Sequence, residues 1–268
     1  MKLDLTELQK IWRKPEQDLS RTIELWDTMA VQRSQQPLTL PSWQTSPFLM
    51  QLAQEAPLGP DWTVLDIGCG TGGYSFAISQ RVKHVVGIDV SPKMIALAKQ
   101  RAQQLQIENV TFLCGDFTSL DFAHPFDLSF AHMSPAVSDA ITLNKMLACS
   151  KGYCYLVKAV RRIDSILDPL KTMCSIPLCP PFDEGLLYTF AILHQLGKLP
   201  QVTYRPNHWT DSRPVDLAGV WYLNRLRAYR ELPAQLERQV LDYLEKVSVN
   251  GIVEEDTKTI IATIMWRI

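Results

Sequence analysis

Residues 64–73, VLDIGCGTGG, constrain this chain more tightly than any other stretch. An apolar run carries a carboxylate, Asp66, and then passes through four glycines in six residues before a helical segment opens at Gly73–Tyr74. Glycine at that density between a strand and a helix marks a turn with unusual backbone angles. It also marks a ligand lying against the main chain, where a Cβ has no room. The segment reads as the first strand–turn–helix of a ligand-binding α/β domain.

The remaining pattern agrees. HVVGID (84–89), VTFLC (110–114), FDLSFA (126–131) and YCYLVKA (153–159) are further short apolar runs, most of them separated by helical stretches. Strands alternating with helices predict βαβ units and a largely parallel sheet. Ser46-Pro47 and Ser91-Pro92 supply cap-plus-proline starts for two helices, the first reaching about Ala56. In the second, Met94, Leu97, Ala98 and Leu105 share one face. The link from Cys114 to Phe126 is too short for much helix. Residues 1–36 read as two helices split at Pro15, followed by a loop through Pro37 and Pro41. After Arg161 come a charged helix, the loop SIPLCPPFDEG and a helix from Leu186 to Leu196. A strand at 199–206, helices opening at Pro214 and Pro233, a turn at Asn250-Gly251 and a closing strand, KTIIATIMWRI, complete the chain. The expected organisation is an N-terminal helical cap, 1–60, and a ligand-binding domain, 61–268, with a cover insertion at about 160–195.

Three acids follow three consecutive strands: Asp66, Asp89 and Asp116. A carboxylate at the end of the second strand can accept both hydroxyls of a ribose. Asp116 in CGDF can accept from an adenine amino group, with Phe117 beside the ring. Gly68, Gly70 and Gly73 also satisfy GxGxxG, so a dinucleotide site is the rival reading. A pyrophosphate, however, needs a helix N-terminus clear of negative charge. The Asp66 carboxylate would repel it while anchoring a cationic amino-acid group.

VLDIGCGTGG, VVGIDVSPKMI and FLCGDF resemble the first three signature segments of the class I S-adenosylmethionine (SAM)-dependent methyltransferases. The resemblance runs from about Asp61 to Lys158. WDTMAVQ…SWQTSPFL and the closing strand resemble small-molecule members more loosely. The family implies a Rossmann-like, seven-stranded, mostly parallel sheet with helices on both faces and an antiparallel last strand. By position it implies Asp66, Gly68, Cys69, Gly70 and Gly72 around the methionine part of SAM and Asp89 on the ribose. Asp116 and Phe117 then fall on adenine, and Val90, Met94, Ala131 and His132 complete the cofactor shell. The fourth segment departs from familiar subgroups. HMSPAV (132–137) stands where amino-group methylators carry Asn/Asp-Pro-Pro-aromatic, and it lacks the second proline and the ring. Nucleobase methylation is therefore disfavoured.

The expected activity is methyl transfer to a small-molecule acceptor. Methylation of a nucleic acid or protein is the alternative, and an NAD(P)-linked oxidoreductase a more distant one. His132, at the mouth of the fourth strand, is the candidate base, because its unperturbed pKa lies near neutrality. Cofactor packing is its plainer role. Trp43 and Ser134 are the expected acceptor-pocket residues. The apolar groups of 1–45 and 160–195, among them Trp12, Trp26, Phe182, Tyr188 and Phe190, are expected to cover the site.

Bulk properties narrow the partners. A formal net charge of -1 gives no overall attraction to nucleic acid or anionic lipid. Arg161, Arg162, Arg225, Arg227 and Arg230 are the candidate basic patch. No apolar run approaches the roughly 18 residues of a membrane span, and the MKLDLTELQK start, which carries acids and no apolar h-region, does not read as a secretory signal. Six cysteines without CxxC spacing fit a reduced, cytoplasmic protein holding no metal. Cys174 and Cys179, which bracket the proline-rich loop, are the pair a disulfide or metal would use.

Overall fold

The computed structural model describes residues 4–13, 19–178 and 183–268. Pro15, Phe182 and Cys179 lie outside the described residues, and with them the helix break, one cover residue and half of the cysteine pair. Helices α1 (Leu5–Ile11), α2 (Leu19–Ser34) and α3 (Pro47–Glu55) precede β1 (Thr63–Ile67). Then follow α4 (Gly73–Ser79), β2 (His84–Asp89), α5 (Pro92–Gln104), β3 (Val110–Cys114) and β4 (Phe126–His132). The chain continues through α6 (Ala140–Ala148), β5 (Ser150–Asp164), α7 (Leu167–Met173), α8 (Glu184–Gln195) and β6 (Gln201–Pro214). It ends with α9 (Val215–Arg227), α10 (Ala234–Val247) and β7 (Ile252–Arg267).

The seven strands form one sheet in the order β3-β2-β1-β4-β5-β7-β6. The pairings β1/β2, β1/β4, β2/β3 and β4/β5 are parallel, as the alternating pattern requires. Ser46 and Ser91 cap α3 and α5 by accepting from the Leu49 and Met94 amides, and prolines occupy the first turns. Between β3 and β4 the only regular element is a 3-10 turn, Phe117–Ser119.

Two stretches differ from the sequence expectation. The charged helix expected after Arg161 starts only at α7 (Leu167–Met173), because β5 runs on to Asp164. The strand expected at 199–206 extends to Pro214, with half-buried and exposed residues alternating along its second half. Both extensions are polar. Their strand character comes from position in the sheet and from side-chain pairing, not from a run of apolar residues.

By contacts the chain divides into two compact units. The first comprises the described residues of Met1–Lys158, Glu184–Thr203 and Ala262–Ile268, and the second those of Ala159–Asp183 and Tyr204–Ile261. The expected cap, 1–60, falls within the first unit. The expected insertion is shared, its part up to Asp183 in the second unit and α8 in the first.

In the first unit, Phe76, Ile95, Ala98, Ala102 and Phe112 form a buried cluster that joins α4, α5 and β3, with Leu40 packed against it. Fully burying side chains of the larger kinds found here contributes about 1.5–3 kcal/mol each. An aromatic group centred on Phe48, with Phe130, His132, Tyr74 and Tyr155 at 5.1–5.9 Å between centroids, ties α3 to the sheet.

The second unit is held by a buried charge network. Tyr222 donates to Glu255 at 2.6 Å, while Arg213 and Arg162 approach the same carboxylate at 3.4 and 3.3 Å. Arg162 also pairs with Asp164 at 2.9 Å. Burial alone would raise the Glu255 pKa, but the Tyr222 hydrogen bond and the Arg225 and Arg213 charges hold it below the ordinary value. Charges this deep are tolerated only when paired. Arg227 pairs with Glu237 at 2.7 Å, and Arg230 donates to the Cys174 carbonyl. Four of the five arginines of the candidate basic patch are thus tied up within the unit. No helix among the described residues is long and apolar enough to cross a membrane.

Candidate functional site

The glycine turn lies at the C-terminal ends of the parallel strands. Gly68 and Cys69 both donate to the Ile88 carbonyl at 2.8 Å, which fastens the turn to β2. Gly68, Gly70 and Gly72 have φ of +75°, +54° and +85°, a region other residues avoid. The three do different work. A Cβ on Gly68 would lie 1.8 Å from the Ser134 hydroxyl, so this glycine admits the loop after β4. A Cβ on Gly72 would meet Phe112 and Phe76 at 2.8 Å. A Cβ on Gly70 would meet nothing within 4 Å and would project into open space.

That space is a cavity of about 920 Å³, built from the first unit. Its wall includes Gly68, Cys69, Gly70, Asp89, Val90, Met94, Asp116, Phe117, His132 and Ser134, ten of the positions expected from sequence. Asp89 closes β2 with each oxygen held by a backbone amide: Gly70 N–H at 2.9 Å and Ser91 N–H at 2.9 Å. Burial raises its pKa, and those amide donors only partly offset the shift. One Asp116 oxygen accepts from the Thr118 amide and hydroxyl at 2.8 Å and so caps the 3-10 turn. Phe117 is 4% exposed, with the Lys145 ammonium 6.0 Å from its ring centre. His132 ends β4 with its ring 4.0 Å from that of Tyr74.

Four expected positions are not on the cavity wall. Asp66 is buried behind the turn, where it accepts from Ser75 Oγ at 2.6 Å. Burial is the main cause pushing its pKa up to about 7, Asp89 adds to the rise, and the Ser75 hydrogen bond opposes it. Gly72 faces the two phenylalanines, and Ala131 is fully buried in β4. Trp43 turns away to α4, where its indole N–H donates to the Ala77 carbonyl at 3.0 Å and the Arg81 guanidinium lies 3.8 Å over its ring.

Sequence reasoning passed over several wall residues. Tyr74, in the first turn of α4, lies within 3.4 Å of the Ser46 hydroxyl at the start of α3. Leu19 and Thr22 of α2 and the segment Leu38–Pro41 close another side, next to Trp26, one of the expected cover residues. Among the described residues, none from 160–195 lines the cavity. The glycine turn could have pointed to Tyr74, because the first turn of the following helix always borders such a site. Nothing local marks Leu38–Pro41.

Residues 58–180 match the model of a methyltransferase domain family. A demethylmenaquinone methyltransferase of Bacillus cereus is 29% identical over 168 residues, covering 60% of this chain and 65% of the relative. The chain thus spans somewhat under two thirds of that relative's length. A protein-L-isoaspartate O-methyltransferase of Protochlamydia amoebophila is 39% identical over 83 residues, 30% of this chain and 40% of the relative. A SAM-dependent methyltransferase of Geobacter sulfurreducens, solved with S-adenosyl-L-homocysteine, shares the fold with a TM-score of 0.50 at 17% identity, covering 90% of this chain and 98% of its own. Residues 58–180 thus match a methyltransferase domain, and the glycine turn and strand order are similar to those of the class I SAM-dependent methyltransferases.

Proposed function

We propose that this protein transfers a methyl group from SAM to a small-molecule acceptor. The observation that carries the reading is the Asp89 carboxylate on the cavity wall, next to a glycine whose missing side chain leaves the space open. These residues fit SAM. Asp89 is a doubly anchored acceptor for the ribose hydroxyls, Gly70 leaves room for the methionine chain, and Phe117, Met94 and Val90 offer an apolar slot for adenine. Asp66, behind the turn, places a carboxyl beneath the amino-acid end, with its pKa raised to about 7 by burial. Asp66, where ionised, disfavours a pyrophosphate, which argues against a dinucleotide.

SAM, when bound, supplies a methyl group on a sulfonium that leaves readily, so the chain's own task is alignment and exclusion of water. At about 920 Å³ the cavity lies near the top of the ~300–1,000 Å³ range of ligand sites, enough for the cofactor and a compact acceptor. His132 is proposed to receive the acceptor's proton, with Tyr74 setting its ring plane and Ser134 beside it. The demethylmenaquinone methyltransferase relative acts on a small molecule, which favours that class over a macromolecule. The pairing of Arg162, Arg225 and Arg227 with acids also speaks against a nucleic acid. A cytoplasmic location is part of the proposal, supported by the free thiols of Cys69, Cys114, Cys149, Cys154 and Cys174.

Calorimetry is the test. SAM and S-adenosylhomocysteine should bind in the micromolar range and NAD should not. Binding of NAD, or failure to bind S-adenosylhomocysteine, would overturn the reading. With binding established, label transfer from methyl-labelled SAM should reach small phenols, amines or thiols, and His132→Ala should slow the transfer while leaving cofactor affinity near that of the wild type.

A further inference from the structure

One end of the cavity has a chemistry that neither methyl transfer nor cofactor binding uses. Arg33, Gln36 and Arg101 all line it, together with Thr39. Arg101 meets the end of α2 there: the Arg33 carbonyl accepts from the Arg101 guanidinium at 2.9 Å and from the Gln36 backbone N–H at 3.4 Å. Arg101 is only 8% exposed. A buried guanidinium ordinarily has a carboxylate partner, because an unpaired charge out of water is costly. No carboxylate among the described residues forms an ion pair with Arg101 or Arg33. The neighbouring charge is instead another cation: burial and Arg33 both lower the Arg101 pKa. Capping the end of α2 uses one of its five N–H donors and leaves the charge uncompensated.

The place is as informative as the charge. Arg101 lies seven residues after Met94 on α5, two helical turns or about 10 Å further along the same face. Asp27 of α2 accepts from Ser91 Oγ at 2.5 Å and from the Lys93 amide at 3.2 Å, tying α2 to the start of α5. Arg33 and Arg101 face each other further along the same two helices, where like charges oppose the contact. Leu19, Thr22 and Trp26, earlier on α2, are cavity wall.

We propose that the cavity end framed by Arg33, Gln36, Thr39 and Arg101 is an oxyanion site, taking a phosphate or carboxylate ligand alongside the cofactor and thereby fastening α2 onto α5. The bound anion relieves the repulsion between the two arginines. It also stiffens the helix that supplies Leu19, Thr22 and Trp26 to the wall, so anion and cofactor affinities rise together, each raising the other by the same factor.

The test titrates the protein with S-adenosylhomocysteine at constant ionic strength, in chloride alone and with inorganic phosphate or succinate added. Phosphate or succinate should tighten S-adenosylhomocysteine binding by about fivefold or more, the lower range of ordinary coupling. The stronger of the two identifies the preferred oxyanion. Arg33→Gln, an exposed change, and Arg101→Gln should both abolish the enhancement while leaving affinity in chloride near the wild-type value. An enhancement retained in both variants would overturn the proposal, as would no anion effect at matched ionic strength. Competition between phosphate and S-adenosylhomocysteine would overturn it too, by showing that the arginines serve the cofactor's own carboxylate. Loss of S-adenosylhomocysteine binding in chloride by the wild type is a separate outcome that counts against the methyl-transfer reading; phosphate binding followed by NMR then still tests the anion site.

Discussion

Asp66→Asn should change how stability depends on pH. In the folded protein the carboxyl is 3% exposed and its pKa is raised to about 7, chiefly by burial. In the unfolded chain it titrates near 3.9. The folded state therefore holds a proton that the unfolded state has released throughout the interval between these values. Stability from this group is fully present below about pH 4, declines as pH rises, and levels off once pH passes about 7. A difference of about three units at 1.36 kcal/mol per unit gives a loss on the order of 4 kcal/mol across the interval. Asparagine is neutral at every pH and keeps an oxygen for Ser75 Oγ, so the variant should lack this decline. Below about pH 4 the two proteins should differ little; the gap should be about 1.5 kcal/mol at pH 5 and on the order of 4 kcal/mol at pH 8, with the variant the more stable. Some decline should persist in both, because the Asp89 pKa is also raised. Urea unfolding followed by tryptophan fluorescence, at intervals from pH 5 to 8 without cofactor, measures this directly. Parallel stability curves for wild type and variant would refute the reasoning, since they would mean that Asp66 is ionised in the folded protein at pH 5.

Asp89→Ala should weaken S-adenosylhomocysteine binding about 30- to 1000-fold, the equivalent of ~2–4 kcal/mol for charge-assisted hydrogen bonds, as read by calorimetry on folded protein. Gly70→Val should abolish binding with the circular dichroism spectrum retained, because the branched side chain enters the cavity at a φ of +54° that it adopts only under strain. Trp43→Phe should leave cofactor binding unchanged and lower stability by about 1 kcal/mol in urea unfolding, through loss of its hydrogen bond to Ala77. On adding S-adenosylhomocysteine, amide exchange should slow in 19–41 as well as in the glycine turn, with 160–178 and 183–195 unchanged, a pattern that would confine the cover to the N-terminal segment.

What the sequence made legible was local, and the rest required the sheet. The glycine turn, the serine-proline caps and the five apolar strands are each specified within a few residues, and all stand where the pattern predicts. The second half of β6 was hidden because Asn207 and Asp211 are poor strand formers, and its partners are distant in sequence. Trp43 shows a different limit. Its size says that it is buried against something, but only the fold decides between the cavity and α4. The acids show the limit most clearly. Asp66 and Asp89 are equivalent in the linear pattern, each a carboxylate near the end of a strand. In register, however, Asp66 lies opposite Gly87, so Asp89 stands two residues further towards the ends of the strands. At about 3.3 Å per residue that is ~7 Å, enough to separate a cavity wall from a dry interior. Asp89 therefore faces ligand, with two amides fixing its oxygens, while Asp66 faces Ser75 and carries the larger burial penalty. Two residues of register divide two identical side chains into a binding group and a buried carboxyl beneath the turn whose pKa is raised to about 7.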